Sequence, residues 1–119
     1  MKKFQLVFIT ENQNKKEKAT KLAELISETV ACKNVFEVSE YEKLENSYKI
    51  EMVGAIEDAN SSIEAAIKLT DKICSPWLVT YDDEVDEIEL FFNKTKHAKF
   101  KINEFNVLVW GNFEMLQEP

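Results

Sequence analysis

The sequence contains no arginine; all 15 of its Lys/Arg positions are lysine. It therefore lacks the planar guanidinium fork that grips a carboxylate or phosphate with two parallel hydrogen bonds. Glycine occurs only at Gly54 and Gly111, and proline only at Pro76 and Pro119. That supply excludes a glycine-rich phosphate loop. The single histidine, His97, has no neighbouring cysteine or second histidine to share a metal, and no G-x-S-x-G serine to activate. A lone histidine in a lysine run reads as surface rather than as a general base. Cys32 and Cys74 are too far apart for a metal-spaced pair. They read as free thiols in a reducing compartment, Cys74 as a small buried hydrophobe. No apolar run approaches the ~20 residues of a membrane span. The N-terminal apolar run is interrupted by Gln5 and no small-residue cleavage site follows it, which argues against a signal peptide. A soluble cytoplasmic protein is expected.

What is present points to a packed domain. The 119 residues suit one domain, 1–119, and 45% of them are apolar, with 8 Phe, 3 Tyr and 2 Trp to fill a core. The formal net charge is −7. Such a chain is repelled by nucleic acid and by anionic membranes, so neither is an expected partner. The excess of carboxylate reads either as solubility or as attraction for a basic protein.

The strongest element is the stretch Glu104–Met115. At a period of two it places Phe105, Val107, Val109, Phe113 and Met115 on one face, and Asn106, Leu108, Trp110, Asn112 and Glu114 on the other. One face is apolar throughout and the other only in its middle, which predicts a strand covered on both sides at its centre. Phe4–Thr10 is apolar on both faces and predicts a central strand. Asn14 and Glu17 have the spacing of a capping box. A helix follows to about Ala31, with Ala19, Leu22, Ala23, Ile26 and Val30 on one face and Leu25 at its edge.

Val35–Lys43 predicts a one-sided edge strand, Leu44–Ser47 a hairpin loop, and Tyr48–Ile56 the returning strand. Gly54 marks either a bulge or a close packing contact. The second helix opens at Glu57 and Asp58, or at a Ser61/Glu64 capping box if it starts later. Its apolar face holds Ile63, Ala66, Ile67, Thr70 and Cys74, flanked by Ala59 and Ile73, and Ser75-Pro76 ends it. Trp77–Tyr81 and Ile88–Phe92 predict two more strands, with Phe100 and Ile102 leading into the last one and 117–119 a frayed tail. The order is β-α-β-β-α-β-β-β. The expected fold is α+β, a two-layer sandwich with both helices on one face of a mainly antiparallel sheet. It begins in ferredoxin-like order, with the last two strands as an extension.

Chemistry has few places to reside. Asp82, Asp83, Glu84, Asp86, Glu87 and Glu89 put six carboxylates into eight residues. The run reads as a solvated hairpin turn or as a docking patch for a basic partner. The spacing lacks the glycine and the alternation of a calcium loop, so no metal is expected. Lys94, Lys96, His97, Lys99 and Lys101 form a basic run in the next turn, placed to neutralise the acidic turn or to touch phosphate. Trp77 and Phe113 read as core. Phe91 points away from Ile88, Leu90 and Phe92, and with Leu108 and Trp110 it would form an apolar patch on the face the helices leave open. No catalytic set and no cofactor site emerges.

The segments Ile73-Cys74-Ser75-Pro76-Trp77-Leu78-Val79-Thr80-Tyr81-Asp82, Ile88-Glu89-Leu90-Phe91-Phe92-Asn93 and Phe105-Asn106-Val107 with Trp110 resemble small acidic immunity proteins of bacterial contact-dependent inhibition and related polymorphic toxin systems. The resemblance covers roughly the C-terminal third and is one of style and size. It implies a non-enzymatic cytoplasmic inhibitor of one cognate toxin domain, often a nuclease. Beside it, the charge pattern nominates Asp82, Asp83, Glu84, Asp86 and Glu87, helped by Tyr81 and Phe91, as the partner-binding surface. A small-ligand regulatory or sensor domain of ferredoxin-like type is the alternative, and requires an apolar pocket.

Overall fold

A computed structural model describes residues 2–57 and 61–116. The expectations for Asp58, Ala59 and the tail 117–119 fall outside them. The elements in order are β1 (Lys2–Thr10), α1 (Lys16–Val30), β2 (Asn34–Glu40), β3 (Tyr48–Ile56) and α2 (Ser62–Asp71). Then come β4 (Cys74–Ser75), β5 (Leu78–Asp82), β6 (Glu87–Asn93), β7 (Lys99–Phe100), a 3-10 turn (Asn103–Val107) and β8 (Leu108–Met115).

The main sheet has six strands in the order β2-β3-β1-β8-β6-β5, every neighbouring pair antiparallel. The two short strands β4 and β7 pair separately, Cys74 opposite Phe100 and Ser75 opposite Lys99. The fold is α+β, with the buried faces of both helices and of the main sheet joined in a continuous apolar cluster. The final strands do not simply extend a ferredoxin-like start. β8 enters the centre, between β1 and β6, while the hairpin β5–β6 forms the far edge. The burial follows this order: β8 buries Leu108, Phe113 and Met115 at the centre of the sheet, whereas β5 is exposed along its length and ends in the carboxylate of Asp82, which must stay hydrated.

The helices obey their apolar stripes. Ala19, Leu22, Ala23, Ile26 and Val30 of α1 are buried, as their spacing predicts. The Asn14 capping box is not formed. Lys15 is the N-cap, in extended conformation and without a side-chain cap bond. At the other end, Asn34 locks α1 to β2: Ser27 Oγ donates to Asn34 Oδ1 (2.6 Å), and Asn34 Nδ2 donates to the Cys32 carbonyl (2.8 Å). α2 takes the later start, with Ser61 as N-cap accepting from the Glu64 amide (3.4 Å). It buries Ala66, Leu69 and Thr70, while Ile67 is 39% exposed. The spacing predicts Ile67 inside. Leu69 is buried in its place, and the helix ends at Asp71 rather than at Ser75-Pro76, so Cys74 is buried from β4 and not from the helix face.

Close packing explains both glycines. A Cβ on Gly54 would lie 2.6 Å from the Phe4 ring and 2.8 Å from the Lys33 carbonyl oxygen. On Gly111 it would lie 2.8 Å from Phe8 and 2.9 Å from Trp77. Gly54 is thus a close contact, one of the two roles expected of it. Trp77 is half-buried and packs against the core, as expected of it. It meets Phe8 edge-on (centroids 5.9 Å) and Phe92 at a tilt (5.6 Å), and donates its indole N–H to the Cys74 carbonyl (2.7 Å). Phe113 is fully buried and stacks on Phe4 at 5.3 Å.

A register shift between Ile9 and Thr10 marks a bulge in β8: Thr10 faces Leu108 and Ile9 faces Trp110, so Val109 is the extra residue. The bulge turns Leu108 into the core, where its exposure is 0%. Residues 103–107 form the 3-10 turn instead of the strand expected there, and Phe105 is buried from that turn. Among the described residues no helix is long and apolar enough to cross a membrane.

Candidate functional site

The acidic run sits at the edge of the sheet. Asp82 ends β5 and Glu87 opens β6, directly opposite each other in register. Asp83–Asp86 close the turn between them, with Asp86 at a positive φ of 52°. The turn is tied locally: the Glu84 amide donates to Asp82 Oδ1 (3.1 Å). Lys2 Nζ donates to Asp86 Oδ2 (3.2 Å) and Tyr81 Oη to Asp86 Oδ1 (3.4 Å). Partial loss of water around the phenol, with the charges of Asp86 and Asp83 beside it, pushes the Tyr81 hydroxyl above its ordinary value.

The register separates the expected site residues by face. Leu78, Thr80 and Asp82 of β5 align with Phe91, Glu89 and Glu87 of β6, and Glu89 aligns with Glu114 of β8. Asp82, Glu87, Glu89 and Glu114 therefore line one groove of about 440 Å³ on the face opposite the helices, with Thr80 and Leu116. Asp83 and Glu84 remain on the exposed turn, and Tyr81 lies on the other face of β5. Glu89 belongs to the acidic run but not to the partner surface nominated from it, and Glu114, 25 positions further along the chain, was in neither. Only the strand order brings it in.

None of the four groove carboxylates forms an ion pair with a described residue. The consequence shows at Glu89. A hydrogen bond shared with Glu114, partial desolvation, and the charges of Glu114 and Glu87 push its carboxyl above the ordinary value for glutamate. Among the described residues no group of three or more His, Cys, Asp or Glu side chains is placed to hold a metal ion. The carboxylates line a groove rather than converging on a point.

The basic run does not neutralise the acidic turn. The two turns lie at opposite ends of β6, a seven-residue strand and so roughly 20 Å long. Lys94 instead reaches Glu11 (2.8 Å) and the Asn106 carbonyl (2.5 Å), with its ammonium 5.8 Å from the Phe100 ring centre. His97 is exposed. The expected patch of Phe91, Leu108 and Trp110 is broken by the bulge, because Leu108 is buried. Trp110 lines a different groove, of about 490 Å³, with Val7, Ile9, Tyr41, Leu44 and Val109. Both cysteines are free. Burial, helped by Asp71, pushes the Cys74 thiol up to about 12.

Comparison with protein-family models, curated proteins and solved structures finds no match to this chain.

Proposed function

We propose that this chain is a non-enzymatic cytoplasmic immunity protein that neutralises a cognate toxin domain, docking a basic surface of that domain against the hairpin β5–β6. The observation that carries the reading is the groove of Asp82, Glu87, Glu89 and Glu114, four carboxylates on one exposed face without a described cation to balance them. Like charges facing each other across strands cost stability. A basic partner relieves that cost and is drawn in by the same field. Phe91, half-buried beside the groove, supplies apolar contact, and Asp83, Glu84 and Asp86 extend the charge along the turn. The resemblance to acidic immunity proteins supports the toxin as the partner.

The test is co-expression and co-purification with the product of the adjacent upstream gene. Protection of the host cell and a stable complex are expected. The triple variant Asp82→Lys, Asp83→Lys, Glu87→Lys lowers the association rate at low salt by at least about tenfold and flattens its salt dependence. Unchanged affinity in this variant rejects the site; absence of any complex rejects the reading.

The groove around Trp110 supports a second reading, a domain that senses a small apolar ligand. Its walls are Val7, Ile9, Tyr41, Leu44 and Val109, with Lys49 at the rim. Thermal-shift screening with amphipathic carboxylates separates the two readings.

A further inference from the structure

The two edges of the main sheet differ in how far they are covered. β2 buries Val38 and half-buries Phe36, although Val35 on its other face is 73% exposed. In β5 every residue is exposed: Leu78 is 70% exposed, Val79 40% and Tyr81 45%. Among the described residues, β6 is its only neighbouring strand. β5, like β2, contains no lysine, no proline and no bulge, the usual devices that keep an edge from pairing, and unlike β2 it has no buried residue. Of the strands in the main sheet, α2 lies against β6 and β8, so the helix-side residues Val79 and Tyr81 are left uncovered.

The charges flanking this edge are arranged by sign. The acidic turn 83–86 follows the end of β5. The basic loop lies at its start, because Lys99 of β7 pairs with Ser75, three residues before Leu78. We propose that the occupant of the β5 edge is a second copy of this chain, paired antiparallel about a two-fold axis at Thr80. In that pairing Val79 faces Tyr81 of the second copy. Each acidic turn approaches Lys96 and Lys99 of the basic loop from the other molecule, while Lys94 stays bound to Glu11 within its own chain. An antiparallel two-fold contact is the arrangement in which an edge with opposite charges at its two ends complements itself. Parallel pairing would set acid against acid. The join uses the backbone edge and the turns, and leaves Asp82, Glu87, Glu89 and Glu114 open on the sheet face. It stands independently of the toxin reading.

The experiment is sedimentation equilibrium of the full chain. The wild type is expected at twice the chain mass at high micromolar concentration, with the dimer weakened by high salt. Thr80 is exposed but faces Glu89 across the hairpin, so Thr80→Asp costs the monomer some stability and Thr80→Lys does not; circular dichroism melting checks that both variants are folded. Each variant alone places two like charges at the axis and raises the dimer Kd on the order of tenfold. Mixing the two restores the dimer, because opposite charges then meet. A wild type that sediments as a monomer overturns the proposal and leaves the edge to a strand from a different protein. A dimer indifferent to both variants, or a mixture that stays monomeric, overturns it as well.

Discussion

At the scale of single residues, Gly111 is a tight constraint on the core. Its missing side chain lets Phe8 and Trp77 close over β8. Gly111→Ala is expected to cost about 1–3 kcal/mol, read from urea unfolding at unchanged slope. Glu89 offers the opposite case. Its pKa is raised by folding, so its favourable contribution is complete below the unfolded value and is lost as pH rises through the folded one. Glu89→Gln is therefore expected to be more stable than the wild type at neutral pH, by about 0.5 kcal/mol because solvent reaches the groove and screens the pair. The difference vanishes in acid, where both carry a neutral side chain. Melting temperatures measured across the acid range check the sign. Asp82 and Glu87 were legible as neighbours because a short turn joins them. Glu114 was not, because its approach to Glu89 depends on β8 entering between β1 and β6.

Elements show where sequence pattern suffices and where it fails. The stripe of α1 and the span of β3 follow from apolar spacing alone, and both are found as expected. The cap of α1 is not, since Asn14 and Glu17 have the right spacing but the chain enters the helix one residue later, at Lys15. A lysine there offers no acceptor to the free amides and puts a positive charge at the positive end of the helix. Lys15→Ser is expected to stabilise the protein by about 1 kcal/mol, measured as a shift in the urea midpoint. Pattern misplaces the start of β8 for a related reason. Strict alternation assigns Leu108 and Val109 to opposite faces, but the single extra residue of the bulge resets the count and sends Leu108 inward. No local composition signals that residue; next to it Thr10, paired with Leu108, is buried and accepts a hydrogen bond from the Tyr48 amide (3.2 Å), which satisfies its hydroxyl there.

For the whole molecule, the layer arrangement was legible and the strand order was not. Two amphipathic helices with alternating strands leave few options besides helices over one sheet face. Which strand occupies the middle depends on contacts between distant parts of the chain. β8 pairs with β1 across more than a hundred positions and with β6 on its other side. The central place of β8 bears on how the protein is made. As the polypeptide leaves the ribosome, β1 and β6 each present a bare flank until residues 108–115 emerge, so the sheet cannot be assembled cotranslationally from one end to the other. Nascent chains stalled before Leu108 are expected to bind a hydrophobic dye and to be digested rapidly by protease, and chains stalled once the segment has cleared the exit tunnel to resist both. Closure in the middle makes folding a single late event rather than a series of additions.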